Sequence, residues 1–356
     1  MKDVIIVGAG PVGSQLAKRY AEQGLEVTVL ERSEEVGRPL ACSGHVSPDI
    51  QNFLSKEDFE EIHQNSIVGA RFHSGEKEYR FYRDETVSNV IDRVGLDKKK
   101  AEEAREAGAE IILEETVEDV IESSESVRVE TENDTYKASI VAGCDGASST
   151  VRDAVDLPEP DHFYQGILCF TDEEDDSDFV DVLLDVPKFF GWRIPRGDSV
   201  EYGVGVPKGE NTMKWLDEVT SKFDVEEEDR RNICAGAIPI EPPESVSTNR
   251  VFLVGDAAGQ TKPFTGGGIL YGMRAADIAA ETIDPEDPDT GDYEEAWREE
   301  LGSDIFLGKF IEKMYSMPWT VQRLGMWFFQ GEIGVHMDRP TTLLSRKQLK
   351  AMLPWR

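Results

Sequence analysis

The chain opens on an apolar run of strand length, Val4 to Val7, followed at once by spaced glycines and a helix-like segment, VGSQLAKRYAEQ. A second run, EVTVLE, ends at Glu31. A third, RVFLV from Arg250 to Val254, again leads through glycines into a helix-like segment, ILYGMRAADIAAETI. Unbroken apolar runs of this length suit strands buried on both faces, in a sheet covered by helices. Between these segments the pattern changes. ARFHSGEKEYRFYR, DFVDVLLDV and SVEYGVGVP alternate, or carry aromatic and β-branched residues, as strands of an antiparallel sheet do. The pattern predicts an α/β protein with a discontinuous helix-covered domain made of residues 1–65, 93–158 and 248–290. Residues 66–92 and 159–247 form an inserted β-sheet domain, and 291–356 a C-terminal helical region. TDEEDDSD (Thr171 to Asp178) reads as a solvated turn and EDPDTGD (Glu286 to Asp292) as a loop. KFIEKMYSMPWTVQRLGMWFFQG is dense in Met, Trp and Phe; stripes of this kind at helical spacing usually face a core, so packing against the helix-covered domain is expected, the other reading being a helix that closes a tunnel or rests on a lipid surface. No internal repeat is visible.

Chemistry enters through the glycines. Gly8, Gly10 and Gly13 stand between strand and helix at the spacing at which the first permits a tight turn, the second lets backbone approach a pyrophosphate, and the third lets helix and strand pack closely. Glu31, at the end of the second strand, can accept hydrogen bonds from a ribose diol. This segment alone leaves NAD and FAD equally open. The later stretch GDAAGQTKPFTGGGI, with Asp256 at a strand end and Gly266 to Gly268 before a helix, is a second loop of phosphate type. Two such loops so far apart exceed the needs of a single nucleotide and point to a bound flavin. The amides of Gly267, Gly268 and Ile269 would lie by the flavin N1 and O2 edge, where a helix N-terminus favours the anion of the reduced ring by about 0.3 to 2 kcal/mol.

Further segments narrow the reading: CDGASSTVRDAV (Cys144 to Val155), GRPLACSG (Gly37 to Gly44), and FGWRIP followed after seven residues by Gly203, Val204 and Gly205. With these the chain resembles the FAD-dependent geranylgeranyl reductase family, a branch of the glutathione-reductase-type flavoproteins with a para-hydroxybenzoate-hydroxylase-like fold. The resemblance implies a Rossmann FAD domain with an inserted antiparallel substrate sheet and C-terminal helices. It implies FAD contacts at Val12, Glu31, Cys42, Ser43, Arg93, Val117, Asp256, Gly268 and Ile269, and a lipid cavity along Phe190, Trp192, Ile194, Pro195, Gly203 and Gly205. It also implies reduction of isolated carbon–carbon double bonds in geranylgeranyl chains, of archaeal membrane ether lipids or a polyprenyl quinone, with electrons from a ferredoxin or NAD(P)H. Cys42 is the candidate catalytic residue, with a small apolar spacer as its plainer role. Ile194 stands where the family pattern usually has Phe, and W-x-W-x-I-P also marks flavin-dependent halogenases. A halogenase or monooxygenase, with Lys77 the lysine nearest the required region, and a non-catalytic flavin-binding protein therefore stay open.

Composition adds bounds. The chain has 356 residues, 71 acidic against 38 basic, for a formal charge of −33, which argues against a nucleic-acid partner. Cys42, Cys144, Cys169 and Cys234 show no pairing motif and the five histidines no ligand spacing, so reduced thiols and no metal are expected. No secretion signal precedes the first strand, and no run approaches the roughly 20 apolar residues of a membrane span. A cytoplasmic protein is expected, with any peripheral membrane contact apolar rather than electrostatic. Acidic residues spread along the whole chain fit a halophilic cytoplasm, in which dense counterions screen self-repulsion. The protein should accordingly unfold on dialysis from molar salt into dilute buffer, followed by circular dichroism; a chain that stays folded at low ionic strength contradicts the halophilic reading.

Overall fold

In the computed structural model, which describes residues 1–40, 42–332, 336, 338 and 339, three sheets organise the chain. The first has seven strands. Glu110–Ile112, Val27–Leu30, Lys2–Val7 and Thr135–Gly143 lie side by side in parallel, and Val251–Leu253 runs parallel to the last of these. Val127–Thr131 and Val117–Glu122 continue the sheet antiparallel. Val4 pairs with both Ile140 and Val27, so the opening apolar run lies at the centre of the sheet, and Val4, Ile5 and Ile6 are fully buried. The helices Pro11–Glu22, Arg93–Ala107 and Ile269–Thr282 cover this sheet, so its strands can be apolar on both sides.

The second sheet has eight strands. In spatial order they are Arg231–Ile240, His162–Thr171, Val200–Pro207, Gly191–Pro195, Phe179–Leu183, Gly69–Ser74, Lys77–Tyr82 and Gly331–Glu332. It departs from the expected antiparallel sheet at two joints: Phe179–Leu183 runs parallel to Gly69–Ser74, and Gly331–Glu332 parallel to Lys77–Tyr82. Both joints bring together segments far apart in sequence, which no hairpin turn links. The region expected to be wholly helical thus contributes an edge strand. A third sheet, of His45–Val46, Ser88–Ile91 and His63–Ile67, lies between the other two and takes strands from both sides of the predicted boundary at residue 65.

The acidic stretch Thr171 to Asp178 is not simply solvated. Glu173 and Asp175 accept from Arg193 at 3.0 and 2.7 Å, and the Glu173 carboxylate also accepts from the Tyr202 hydroxyl. Arg193 is buried in the sheet and needs these anions. At the C-terminal end, Thr290–Met314 and Trp319–Phe329 are helices. The second does not pack its aromatic stripe on the FAD-type domain as expected. Gln322 is its one buried residue, and Trp319, Leu324, Trp327 and Phe328 are 60%, 65%, 63% and 58% exposed.

Candidate functional site

The first glycine loop follows Lys2–Val7 directly. Gly8 has φ +100°, and a Cβ there would lie 2.5 Å from the Cys144 carbonyl oxygen; one on Gly13 would overlap the Gly8 carbonyl. A Cβ on Gly10 would meet nothing within 4 Å. The helix Pro11–Glu22 starts here with Gly10 as its N-cap and no side chain capping its amides. A close-packed turn that opens onto free space beneath an uncapped helix start fits a pyrophosphate. Glu31 lies just beyond the neighbouring strand, its carboxylate accepting from the Ala9 and Ser33 amides at 2.8 and 2.9 Å. Those bonds fix its direction and leave lone pairs for a diol. Val117 opens the strand two residues after Glu115, whose amide donates to the Glu31 carbonyl at 2.9 Å; its side chain is in the core.

The second loop closes on the first. Val12 is wedged against Gly255 and Gly272, where Cβ atoms would lie 3.1 and 2.5 Å from its Cγ2 methyl. Gly268 is the N-cap of Ile269–Thr282, again without a side-chain cap. A Cβ at Gly268 would lie 2.5 Å from Asp256 Oδ1, so the carboxylate and this helix start face each other across the space of one absent methyl. The Gly267 amide donates to Thr265 Oγ1 at 3.3 Å. Asp256 lies low in this cleft; burial raises its pKa to about 6, against the lowering pull of Arg93.

Arg93 reaches the same place from the start of Arg93–Ala107. It donates to Asp97 through Nε and Nη2 at 2.9 and 2.8 Å, and Cys42 lies near enough to influence its charge. Burial would lower the Arg93 pKa, but Asp97 and Cys42 outweigh it and the net shift is upward. Asp97 is thus the ion-pair partner of the Arg93 guanidinium at this place. The backbone carbonyl of Ser43, next to Cys42, accepts from Arg196 at 2.6 Å, and its hydroxyl oxygen accepts from the His45 amide at 3.3 Å. Gly44 has φ +66°, where a Cβ would overlap the Ile91 carbonyl, so the cysteine loop rests directly on the backbone leading to Arg93.

The inserted sheet supplies an aromatic wall. A Cβ at Gly203 would overlap the Trp192 ring, and one at Gly205 would overlap Phe189 rather than Phe190. Tyr164, Phe189 and Phe190 stack in series with centroids 4.5 and 4.4 Å apart; Phe190 then meets Trp192 at 5.9 Å and Tyr315 at 5.7 Å. The wall touches the second glycine loop, because Tyr315 donates to the Phe264 carbonyl at 2.7 Å and a Cβ on Gly266 would be 3.4 Å from Phe189 Cζ. Phe189, Tyr164 and Tyr315 were missed from sequence; the doubled Phe ahead of Gly191 was the one local signal. Ile194 lies beyond Trp192 on the same strand, in a cluster against which Trp192 packs. It is buried with Ile67, Val90 and Val180, and Pro195 ends the strand with its carbonyl accepting from Asn65. Sequence also missed Lys262, which lies against Gly267 and pairs with Asp338. Asp338 gathers with Asp49 and His336 closely enough for a cation, but Lys262 and Ser47 already engage it, and Asp49 pairs with Arg339.

A family model described as FAD dependent oxidoreductase matches residues 3–149. The chain is 30% identical over 332 residues to the digeranylgeranylglycerophospholipid reductase of Methanothrix thermoacetophila, covering 85% of this chain and 84% of that one. Among solved structures, a geranylgeranyl bacteriochlorophyll reductase-like protein from Thermoplasma acidophilum matches with TM-score 0.83 at 20% identity over 99% of each chain. A flavin-dependent brominase matches with TM-score 0.73 at 19% identity, over 90% of this chain and 89% of the other. At those identities the structural likenesses speak for the fold alone. The cofactor is FAD.

Asp256 generates a test by pH. Because its folded pKa is raised, its stabilising contribution is fully present below the unfolded value of 3.8 and lost as pH rises through about 6. In FAD-free protein, Asp256→Asn should raise the unfolding free energy read from urea denaturation at neutral pH, by ~1 kcal/mol after allowance for partial exposure, and remove the wild-type change through that window. The same variant should bind FAD more weakly; equal affinity would take Asp256 out of the site.

Proposed function

The chain belongs to the digeranylgeranylglycerophospholipid reductase family, and we propose that it hydrogenates the isolated double bonds of geranylgeranyl chains in membrane ether lipids or in a polyprenyl quinone side chain. The observation that supports this most is the aromatic wall running from Tyr164 to Trp192 and abutting the second glycine loop. Reduced FAD supplies a hydride when bound. The chain's own residues do the rest. Glu31, Asp256 and the two helix starts hold and orient the cofactor. The ring faces of Phe190 and Trp192 exclude water and tolerate positive charge developing on the more substituted alkene carbon. Each double bond needs one hydride and one proton, and Cys42, held beside Arg93, is the candidate to position that proton. The halogenase alternative loses support, since Lys77 begins the exposed strand of a hairpin, paired with Ser74. A ferredoxin or a transiently bound NAD(P)H would recharge the flavin.

The lipid reaches the protein at a surface. No helix of the described residues is long and apolar enough to cross a membrane. The exposed aromatic face of Trp319–Phe329 provides apolar contact with a membrane surface. In molar salt, Trp319→Ala/Trp327→Ala should lose most of its cosedimentation with vesicles of neutral ether lipid; undiminished binding removes this helix as the contact.

The decisive assay is anaerobic. With the flavin chemically reduced, addition of digeranylgeranyl ether lipid should reoxidise it while each double bond gains two hydrogens by mass. Cys42→Ala with full FAD should be slower by on the order of 100-fold if its thiol handles the proton. Reoxidation by oxygen alone, with lipid mass unchanged, overturns the reductase reading for this substrate.

A further inference from the structure

Arg196 follows the strand that carries Trp192, yet its guanidinium is buried among three different parts of the molecule. Nη1 donates to the Ser43 carbonyl at 2.6 Å and to Glu201 at 2.8 Å; Nη2 donates to Gln64 Oε1 at 2.6 Å and to the Ile91 carbonyl at 3.0 Å. Its flat face lies 5.4 Å from the Phe170 ring centroid. Glu201, wholly buried on the adjacent strand, gives its second oxygen to Trp192 Nε1 at 2.8 Å. Ser43 neighbours Cys42, and Ile91 lies two residues before Arg93. One guanidinium therefore ties together the segments bearing Cys42 and Arg93, and through Glu201 it ties both to the indole of the substrate wall.

We propose that the buried Arg196–Glu201 pair is a positioning device that sets the distance between Trp192 on the inserted sheet and the backbone segments that carry Cys42 and Arg93. It rests on the reductase reading for its purpose but not for its test. A planar fork with several fixed donors suits this role better than a lysine, which is a point charge on a flexible stem. A hydrophobic pair would fill the same volume without directing either loop; the charged pair holds three backbone or side-chain acceptors in fixed directions. Sequence offers no sign of it, because the partners of Arg196 at Ser43, Gln64 and Ile91 lie more than 100 residues away along the chain.

The test uses FAD-loaded protein without lipid, reading the iodoacetamide alkylation rate of the Cys42 peptide by mass spectrometry and the tryptophan emission maximum. Arg196→Met/Glu201→Gln leaves no unpaired buried charge and keeps an acceptor for Trp192, so it is the variant expected to fold. Its Cys42 alkylation rate should change by about tenfold or more, with FAD content retained, and kcat on lipid should fall more than KM rises. Arg196→Lys, which keeps the charge but reaches fewer acceptors, should recover only part. Wild-type alkylation in either folded variant overturns the proposal. Should the wild type fail to reduce lipid while the variants still alter alkylation, the reductase reading fails and the positioning device stands.

Discussion

Contact between backbones that carry no side chain determines where everything else can go. Gly8 presses on the Cys144 carbonyl, Gly13 on Gly8, and Gly255 and Gly272 on Val12, so two helix starts meet at the ends of the parallel strands Lys2–Val7 and Val251–Leu253. A methyl group at most of these positions would push apart the helices, the strands, or both. The space left over is narrow, lined with uncapped amides, and flanked by Glu31 and Asp256. An elongated, anionic cofactor suits that space.

The same device recurs on the substrate side with another result. Gly203 and Gly205 lie beneath the Trp192 and Phe189 rings, which lets the rings lie against the sheet and form a continuous wall with Tyr164, Phe190 and Tyr315. Such a wall offers area and polarisable faces to a flexible hydrocarbon without specific polar contacts. Polar contacts lie at its Trp192 end, where the indole donates to Glu201 of the Arg196, Glu201 and Gln64 network. The direction of the Trp192 indole thus rests on buried, charge-assisted bonds.

The surplus of acid also organises the interior. Arg193, Arg196, Lys262 and Arg93 are each drawn to at least one carboxylate, from Glu173 and Asp175, Glu201, Asp338 and Asp97 respectively. Desolvating a cation is costly without such a partner. An acidic stretch that reads as solvent-facing is therefore partly structural here, because one of its neighbours in space is a buried arginine.

The sequence alone determined the central sheet, the two loops and the cofactor. Those features depend on local rules: an apolar run, a glycine at a position that admits no Cβ, and a carboxylate at a strand end. Trp192, Gly203 and Gly205 were legible for the same reason, as a spaced motif on adjacent strands. Tertiary structure decided what depends on distance in the chain. It decided the parallel joint between Phe179–Leu183 and Gly69–Ser74, and the packing of Phe189 over Gly205. It decided the neutralisation of Arg93 and the meeting of Arg196 with Ser43, 153 residues away. It also exposed the aromatic helix that composition assigned to a core. Periodicity records which residues share a face, whereas the partner of that face, and the counterion of a buried charge, exist only once distant segments have packed.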